Sequence, residues 1–204
     1  MKLYSKPGAC STADHIALQW TGEAFEVEVV SQTQIKEPWF LEINPAGSVP
    51  AIVDGDFILT QNAAIMGYIA DCHPAAKLAG DGSPRQRAEA TRWLSFCNAD
   101  VHPAFGALFN PGGYCDDKAQ FDNIRDKARQ RVRKHFETAD KRLGEADGWL
   151  AGFRSFADPY LFVMMGWAGK MGIELSDLPH LAAFHKKMSA DAGVQAAFKA
   201  EGLI

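Results

Sequence analysis

The chain carries two rhythms of apolar and polar residues. In "FEVEVV", Phe25, Val27 and Val29 fall on one side and Glu26 and Glu28 on the other, the two-residue period of a half-exposed strand. "KLYS" near the start is a second short strand. Between them, Ala13, Ile16, Ala17 and Trp20 repeat at helical spacing from Ser11, with Gly22 as a stop. After a loop holding Pro38 and Pro45, "VPAIVDGDFILT" predicts two strands about Asp54-Gly55, a pair that tolerates positive φ. A helix follows over 62–72, with Ala64, Ile65, Tyr68 and Ile69 as its apolar stripe. The order β, α, β, loop, β, β, α predicts a mixed four-stranded sheet with helices packed on it.

"HPAAKLAGDGSP", rich in Pro, Gly and small residues, interrupts the pattern, and everything beyond it is helical in period. One long helix is predicted over 85–109. A second, over 118–143, has Phe121, Ile124, Ala128, Val132, Phe136, Ala139 and Leu143 at spacings of three and four before Gly144, with five arginines on its solvated side. A third starts at "SFADPY", where Ser155 and Asp158 have capping-box spacing, the hydroxyl taking the N3 amide and the carboxylate reaching back. Short helices over 179–189 and 192–201 close the chain. The expected organisation is an α/β domain over 1–76, a linker over 77–84 and an all-helical bundle over 85–204.

Composition narrows the partners. The chain has 204 residues, 47% of them hydrophobic, and a formal charge of −4 from 21 basic and 25 acidic residues mixed along it. That is enough apolar material for a real core, and no basic footprint points to nucleic acid or an anionic membrane. The start lacks an apolar leader and no window is long enough to span a bilayer, so a cytoplasmic protein is expected. Cys10, Cys72, Cys97 and Cys115 are far apart and match neither zinc spacing nor a disulfide framework, so no metal is expected.

"KPGACSTADH", residues 6–15, carries the candidate chemistry. If Ser11 opens a helix, the Cys10 thiol lies beside unpaired N–H groups at the positive end of the macrodipole, which favours thiolate, and Lys6 adds to this. The alternative is a small buried apolar residue. Position alone leaves the two about even. A strand, Pro-Gly turn, Cys, helix order is where thioredoxin-like folds place a redox centre, which favours the first. Position 13 is Ala, so no second cysteine completes a CxxC, and disulfide chemistry at Cys10 needs a thiol from outside.

With "MKLYSKPGACS", "NPAGSVPAI", "TQNAAIMGYIAD", "RWLSFCNADVHPAF", "SFADPYLF" and "VQAAFKAEGL" in order, the chain resembles the glutathione transferases, most closely the bacterial beta class. The resemblance implies a thioredoxin-like α/β domain, an all-helical second domain, a homodimer, and glutathione as co-substrate near the domain junction. It implies that Cys10 contacts the glutathione sulfur and can hold it as a mixed disulfide. Val49, before the matching cis-proline Pro50, would pair its backbone with the cysteinyl part of glutathione. Gln61 and Asn62 would take the γ-glutamyl carboxylate, although simple capping by Asn62 explains part of that match. His102 matches a histidine near the sulfur; on a helical wheel it falls opposite Trp93, Phe96, Cys97 and Asp100, beside Thr91, Ser95 and Ala99. Ser95 and Asp100 match site-lining positions, partly across the dimer interface, and Lys36 is the candidate basic residue in the loop before Pro38.

The chain departs from the family pattern at Pro103, where a lysine is usual, and at Ser5, where a tyrosine is common; Pro103 should kink or end its helix. The expected activity is glutathione conjugation to a small electrophile, glutathione-dependent thiol-disulfide exchange through Cys10, or both. A thiolate at Cys10 would repel a second anion and so favour exchange. The alternatives are a transferase activated by the hydroxyl of Ser11, Tyr4 or Ser5, and a non-catalytic protein that binds glutathione or hydrophobic ligands. Trp167 and Phe109 are candidate pocket walls.

Overall fold

In the computed structural model, which describes residues 1–204, strands β1 (Lys2–Ser5), β2 (Glu26–Val29), β3 (Ala51–Asp54) and β4 (Phe57–Thr60) form one sheet in the order β2-β1-β3-β4. β1 and β2 are parallel, joined through helix α1 (Ser11–Thr21), and the other two pairs are antiparallel. Leu3 sits beside Val27 and Ile52, and Tyr4 beside Glu28 and Ala51. Successive strand side chains face opposite ways. Leu3 and Ile52 therefore join the main core with α1 and α3 (Asn62–Cys72), while Tyr4 and Ala51 pack with Phe40 of α2 (Pro38–Ile43) in a smaller cluster behind the sheet.

Several local expectations shift. The stretch after Pro38, expected as loop, is α2, with proline at the first helical position where its missing N–H goes unneeded. Asp54 pairs with Phe57, so Gly55 and Asp56 form the hairpin turn, one residue later than read from sequence. Val29 is 39% exposed at the end of an edge strand, and Val30 is buried in its place. On α3 the buried stripe is Ile65, Met66, Ile69 and Ala70, and Ala64 faces out; the larger Met66 takes the inward position.

The second half comprises α4 (Pro84–Ser95), α5 (His102–Ala104), α6 (Gly106–Phe109), α7 (Phe121–Glu145), α8 (Ala157–Lys170), α9 (Pro179–Ser189) and α10 (Ala192–Ala200). Ser83 caps α4 by accepting from the Gln86 amide at 3.3 Å. The single helix expected over 85–109 is interrupted. Residues Phe96–Val101 form a wide turn in which the His102 amide donates to the Cys97 carbonyl, five residues back. Pro103 has no N–H to offer the carbonyl four residues before it and its ring crowds that carbonyl, so the backbone widens ahead of it. Helix α7 runs through Gly144 to Glu145. A Cβ on Gly144 would lie 2.6 Å from His180 Nε2, so this glycine admits α9 and does not stop the helix.

The α8 start is tighter than a capping box. Asp158 Oδ2 accepts from the Ser155 amide at 2.7 Å and from the Ser155 hydroxyl at 3.1 Å, and Oδ1 accepts from the Leu150 amide at 3.0 Å. The carboxylate reaches back as predicted. The hydroxyl does not take the N3 amide; it accepts from the Ala157 amide at 3.3 Å.

Helix α1 is the hub. The sequence predicts one apolar face, yet Ser11, Thr12, Asp14 and His15 are as buried as Ile16 and Ala17, because α3, α8 and α10 surround it. Its polar side chains find partners inside. Glu201, 4% exposed after α10, accepts from Ser5 Oγ and Thr12 Oγ1 at 2.6 Å each and lies 3.0 Å from His15 Nδ1. Trp20 Nε1 donates to Asp191 at 2.7 Å and Trp167 Nε1 to the Gly8 carbonyl at 2.7 Å. The main core draws on both halves of the chain, from Leu3 to Ala197. No helix is long and apolar enough to cross a membrane.

Candidate active site

A cleft of about 730 Å³ opens between the sheet half and the helical half. One wall is the turn after β1 (Lys6 to Cys10), the segment leading into β3 (Ser48, Val49, Pro50), and the start of α3 (Gln61, Asn62); the other is built by Asn98, His102, Phe109, Tyr160, Trp167 and Lys170. The Val49-Pro50 bond is cis.

Cys10 lies at the floor, half-buried, its Sγ donating to the Val49 carbonyl at 3.6 Å. The turn that carries it is held from below. Ser11 Oγ accepts from the Lys6 amide at 3.0 Å, Thr12 Oγ1 accepts from the Gly8 amide at 3.0 Å, and Asn62 Nδ2 donates to the Cys10 carbonyl at 3.0 Å and to Asp14 at 2.8 Å. Burial, and after it the Asp14 carboxyl, push the thiol up to about 12 against the opposing Ser11 and Cys10 amides and Lys6. The sequence-based expectation of a thiolate is thus reversed: desolvation outweighs the helix end. Asp14, fully enclosed, is itself raised well above the usual carboxyl range by desolvation.

Of the residues singled out from sequence, Cys10, Val49, Pro50, Gln61, Asn62 and His102 all line the cleft. Gln61 is exposed there with φ 75°, a conformation costing a non-glycine residue about 1–3 kcal/mol. Asn62 turns its amide inward to Cys10 and Asp14, leaving Oδ1 without a partner, and it caps nothing. Ser95, Asp100 and Lys36 are exposed and outside the lining, Lys36 Nζ donating to the carbonyl of the lining residue Gly47 at 2.8 Å. The rival hydroxyls are elsewhere. Ser11 and Ser5 are sealed in the Glu201 network, and Tyr4 packs against Trp39 and Phe40 behind the sheet.

His102 does not share a face with Ser95 and Ala99 as the helical wheel predicts. The wide turn ahead of it shifts the phase, so it joins Asn98 on the cleft side. Its Nδ1 is 2.5 Å from Tyr160 Oη, its ring packs on Trp167 at 4.8 Å, and burial lowers its pKa, which favours the neutral imidazole. Burial keeps the Tyr160 hydroxyl protonated. Tyr160 was missed in sequence reading, though a tyrosine inside the apolar run "PYLF" needs a polar partner. Lys170, Asn98 and Gln32 carry no such signal.

Two family models match the chain: "Glutathione S-transferase, N-terminal domain" over residues 1–71 and "Glutathione S-transferase, C-terminal domain" over 92–192. The chain belongs to the glutathione S-transferase family. Glutathione S-transferase GST-4.5 of Xanthomonas campestris is 49% identical over 204 residues, with both chains covered in full. A bacterial beta class glutathione S-transferase from Sphingomonas chungbukensis superposes with a TM-score of 0.88 at 40% identity, and a sphingomonad glutathione S-transferase complexed with glutathione with 0.87 at 40%, both chains fully covered in each case. In this glutathione S-transferase the thioredoxin-like sheet half supplies the floor of the cleft and the helical half its aromatic wall.

Proposed function

We propose that the protein is a glutathione transferase in which glutathione lies along the sheet-side wall and a small electrophile or disulfide enters against the helical wall. The observation that carries this is the placement of Cys10 Sγ 3.6 Å from the Val49 carbonyl, at the junction of the two walls. The backbone of Val49 pairs with the cysteinyl part of glutathione, and the N–H groups that open α3, next to Gln61, receive its γ-glutamyl carboxylate. The sphingomonad relative with bound glutathione supports that ligand.

In this reading a protonated Cys10 thiol serves conjugation: it turns from Val49 to donate to the glutathione sulfur, stabilising that thiolate, with neutral His102 as a second donor. No anion at Cys10 then opposes the glutathione thiolate, so exchange has no electrostatic advantage over conjugation. In exchange, the Cys10 thiol gives up its proton as its sulfur attacks oxidised glutathione, a Cys10–S–S–glutathione bond forms, the original disulfide breaks, and the leaving glutathione sulfur takes up a proton. Intact-mass measurement after exposure to oxidised glutathione tests this. With peptide mapping to separate Cys10 from exposed Cys72 and from Cys115, wild type should carry on the Cys10 peptide a glutathionyl group that a reductant removes, Cys10→Ser should lack it, and a Cys10→Ser protein with full exchange activity would overturn the assignment. Ligand binding without turnover of any electrophile or disulfide would favour a binding protein.

The protein also works as a homodimer in this reading. Phe57 and Ile58, 44% and 45% exposed on edge strand β4, are the apolar surface that supports it. Light scattering at micromolar concentration should give twice the monomer mass.

A further inference from the structure

The charges around the cleft are one-sided. Lys6 and Lys170 line it, and no aspartate or glutamate does. The acids beneath the Cys10 turn, Asp14 and Glu201, are both sealed in, Asp14 accepting from Asn62 and Glu201 occupied by Ser5, Thr12 and His15. The two lysines differ. Lys6 Nζ donates to Gln32 Oε1 at 2.6 Å, whereas Lys170 forms no hydrogen bond or ion pair with the protein through its ammonium. Its side chain is exposed, yet a Cβ on Gly8 would lie 3.5 Å from Lys170 Nζ, so the ammonium reaches back over the turn that carries Cys10. One helical turn earlier, Trp167 anchors the same turn through the Gly8 carbonyl, with its ring edge-to-face against His102 at 4.8 Å and Phe109 at 5.6 Å. An unpaired cation thus sits beside an aromatic wall, across the cleft from Gln61 and the start of α3.

We propose that Lys170 is a specificity-determining residue that selects a second substrate bearing a carboxylate or sulfonate on a planar apolar body. The inference rests on the glutathione-transferase reading and adds the chemical class of its partner substrate. The body stacks against Trp167 and Phe109, and the anionic group meets the Lys170 ammonium where no protein carboxylate competes. A lysine in the last turn of a helix also complements the helix dipole. That role is served by any rotamer and predicts no discrimination between charged and neutral substrates.

The test uses the full-length protein, glutathione, and two electrophiles of one shape: 4-chloro-3,5-dinitrobenzoate and its methyl ester. The ratio of kcat/KM for the anion to that for the ester should fall about 3- to 10-fold in Lys170→Gln, survive in Lys170→Arg, and shrink in wild type as salt is raised. An unchanged ratio, or an equal loss with both substrates, overturns the proposal, as does weakened binding of glutathione itself with the ratio intact. Calorimetric Kd values for the two thioether products give the same ratio without turnover. If wild type prefers the anionic product through Lys170 but turns over neither electrophile, catalysis fails and this inference stands. Turnover of both with no dependence on Lys170 is the reverse, and failure to bind either product sinks the inference too.

Discussion

At Cys10 two effects of different size compete. A helix start stabilises an anion by about 0.3–1 kcal/mol at exposed positions and up to ~2 kcal/mol in favourable ones. Burial of a thiol beside a carboxyl moves its pKa by several units, each worth about 1.4 kcal/mol. Burial wins, and the thiol is pushed up to about 12. Alkylation of Cys10 by iodoacetamide, followed by peptide mapping to separate it from exposed Cys72, should therefore run more than about 100-fold slower at pH 7 than alkylation of a free cysteine, and climb about tenfold per pH unit beyond pH 9. A plateau below pH 8 would mean that the helix end prevails. The position of the thiol was legible in "KPGACSTADH", because a breaker, a small residue and a hydroxyl pair mark a helix start. Its protonation was not, since that depends on burial, with Val49 and Asn62 closing over it from segments far along the chain and Asp14 enclosed one turn away.

At the scale of elements, periodicity and the turn residues between the apolar runs located the four strands and the helices over 62–72 and 179–189. Periodicity failed where one residue changes the backbone geometry. Pro103 inserts a wide turn that no wheel with fixed phase can follow, and that turn aims His102 at Tyr160 and away from Ser95. The α8 start shows a different limit, since spacing revealed the Ser155–Asp158 pair and not the third donor from Leu150. Buried Asp158, raised to about 6 by desolvation against its three donors, links this helix to pH. Its ordinary value is near 3.9, so the folded state holds the proton more tightly; the stability it contributes is complete below pH 4 and is lost as pH rises through 6. Urea midpoints should fall across that window in wild type and stay flat in Asp158→Asn. At pH 7 that substitution should cost about 1–3 kcal/mol, because an amide nitrogen replaces one accepting oxygen and strands a buried N–H. A midpoint that rises from pH 4 to 6 would refute the assignment.

For the whole molecule, the sheet half is not self-sufficient. α1 presents its polar side to Glu201 and its apolar side to α8 and α10, so one core runs through both halves and the floor of the cleft depends on the last turn of the chain. Composition predicts a core of this size but cannot place a lone acid in the tail "VQAAFKAEGL" against residues 5 to 15. Two consequences can be measured. Urea unfolding followed by far-UV circular dichroism and by tryptophan fluorescence should give coincident single transitions, since neither half can release its face of the shared core alone. Glu201→Ala should destabilise by about 3–5 kcal/mol, because it strands the hydroxyls of Ser5 and Thr12 and the imidazole of His15 in a sealed site. Glu201→Gln, which keeps the shape and one accepting oxygen, should recover part of that loss. If Glu201→Ala unfolds at the wild-type urea midpoint, or if the sheet half melts first while the helical half stays folded, the tail does not hold the Cys10 turn and the two halves are coupled only through the linker.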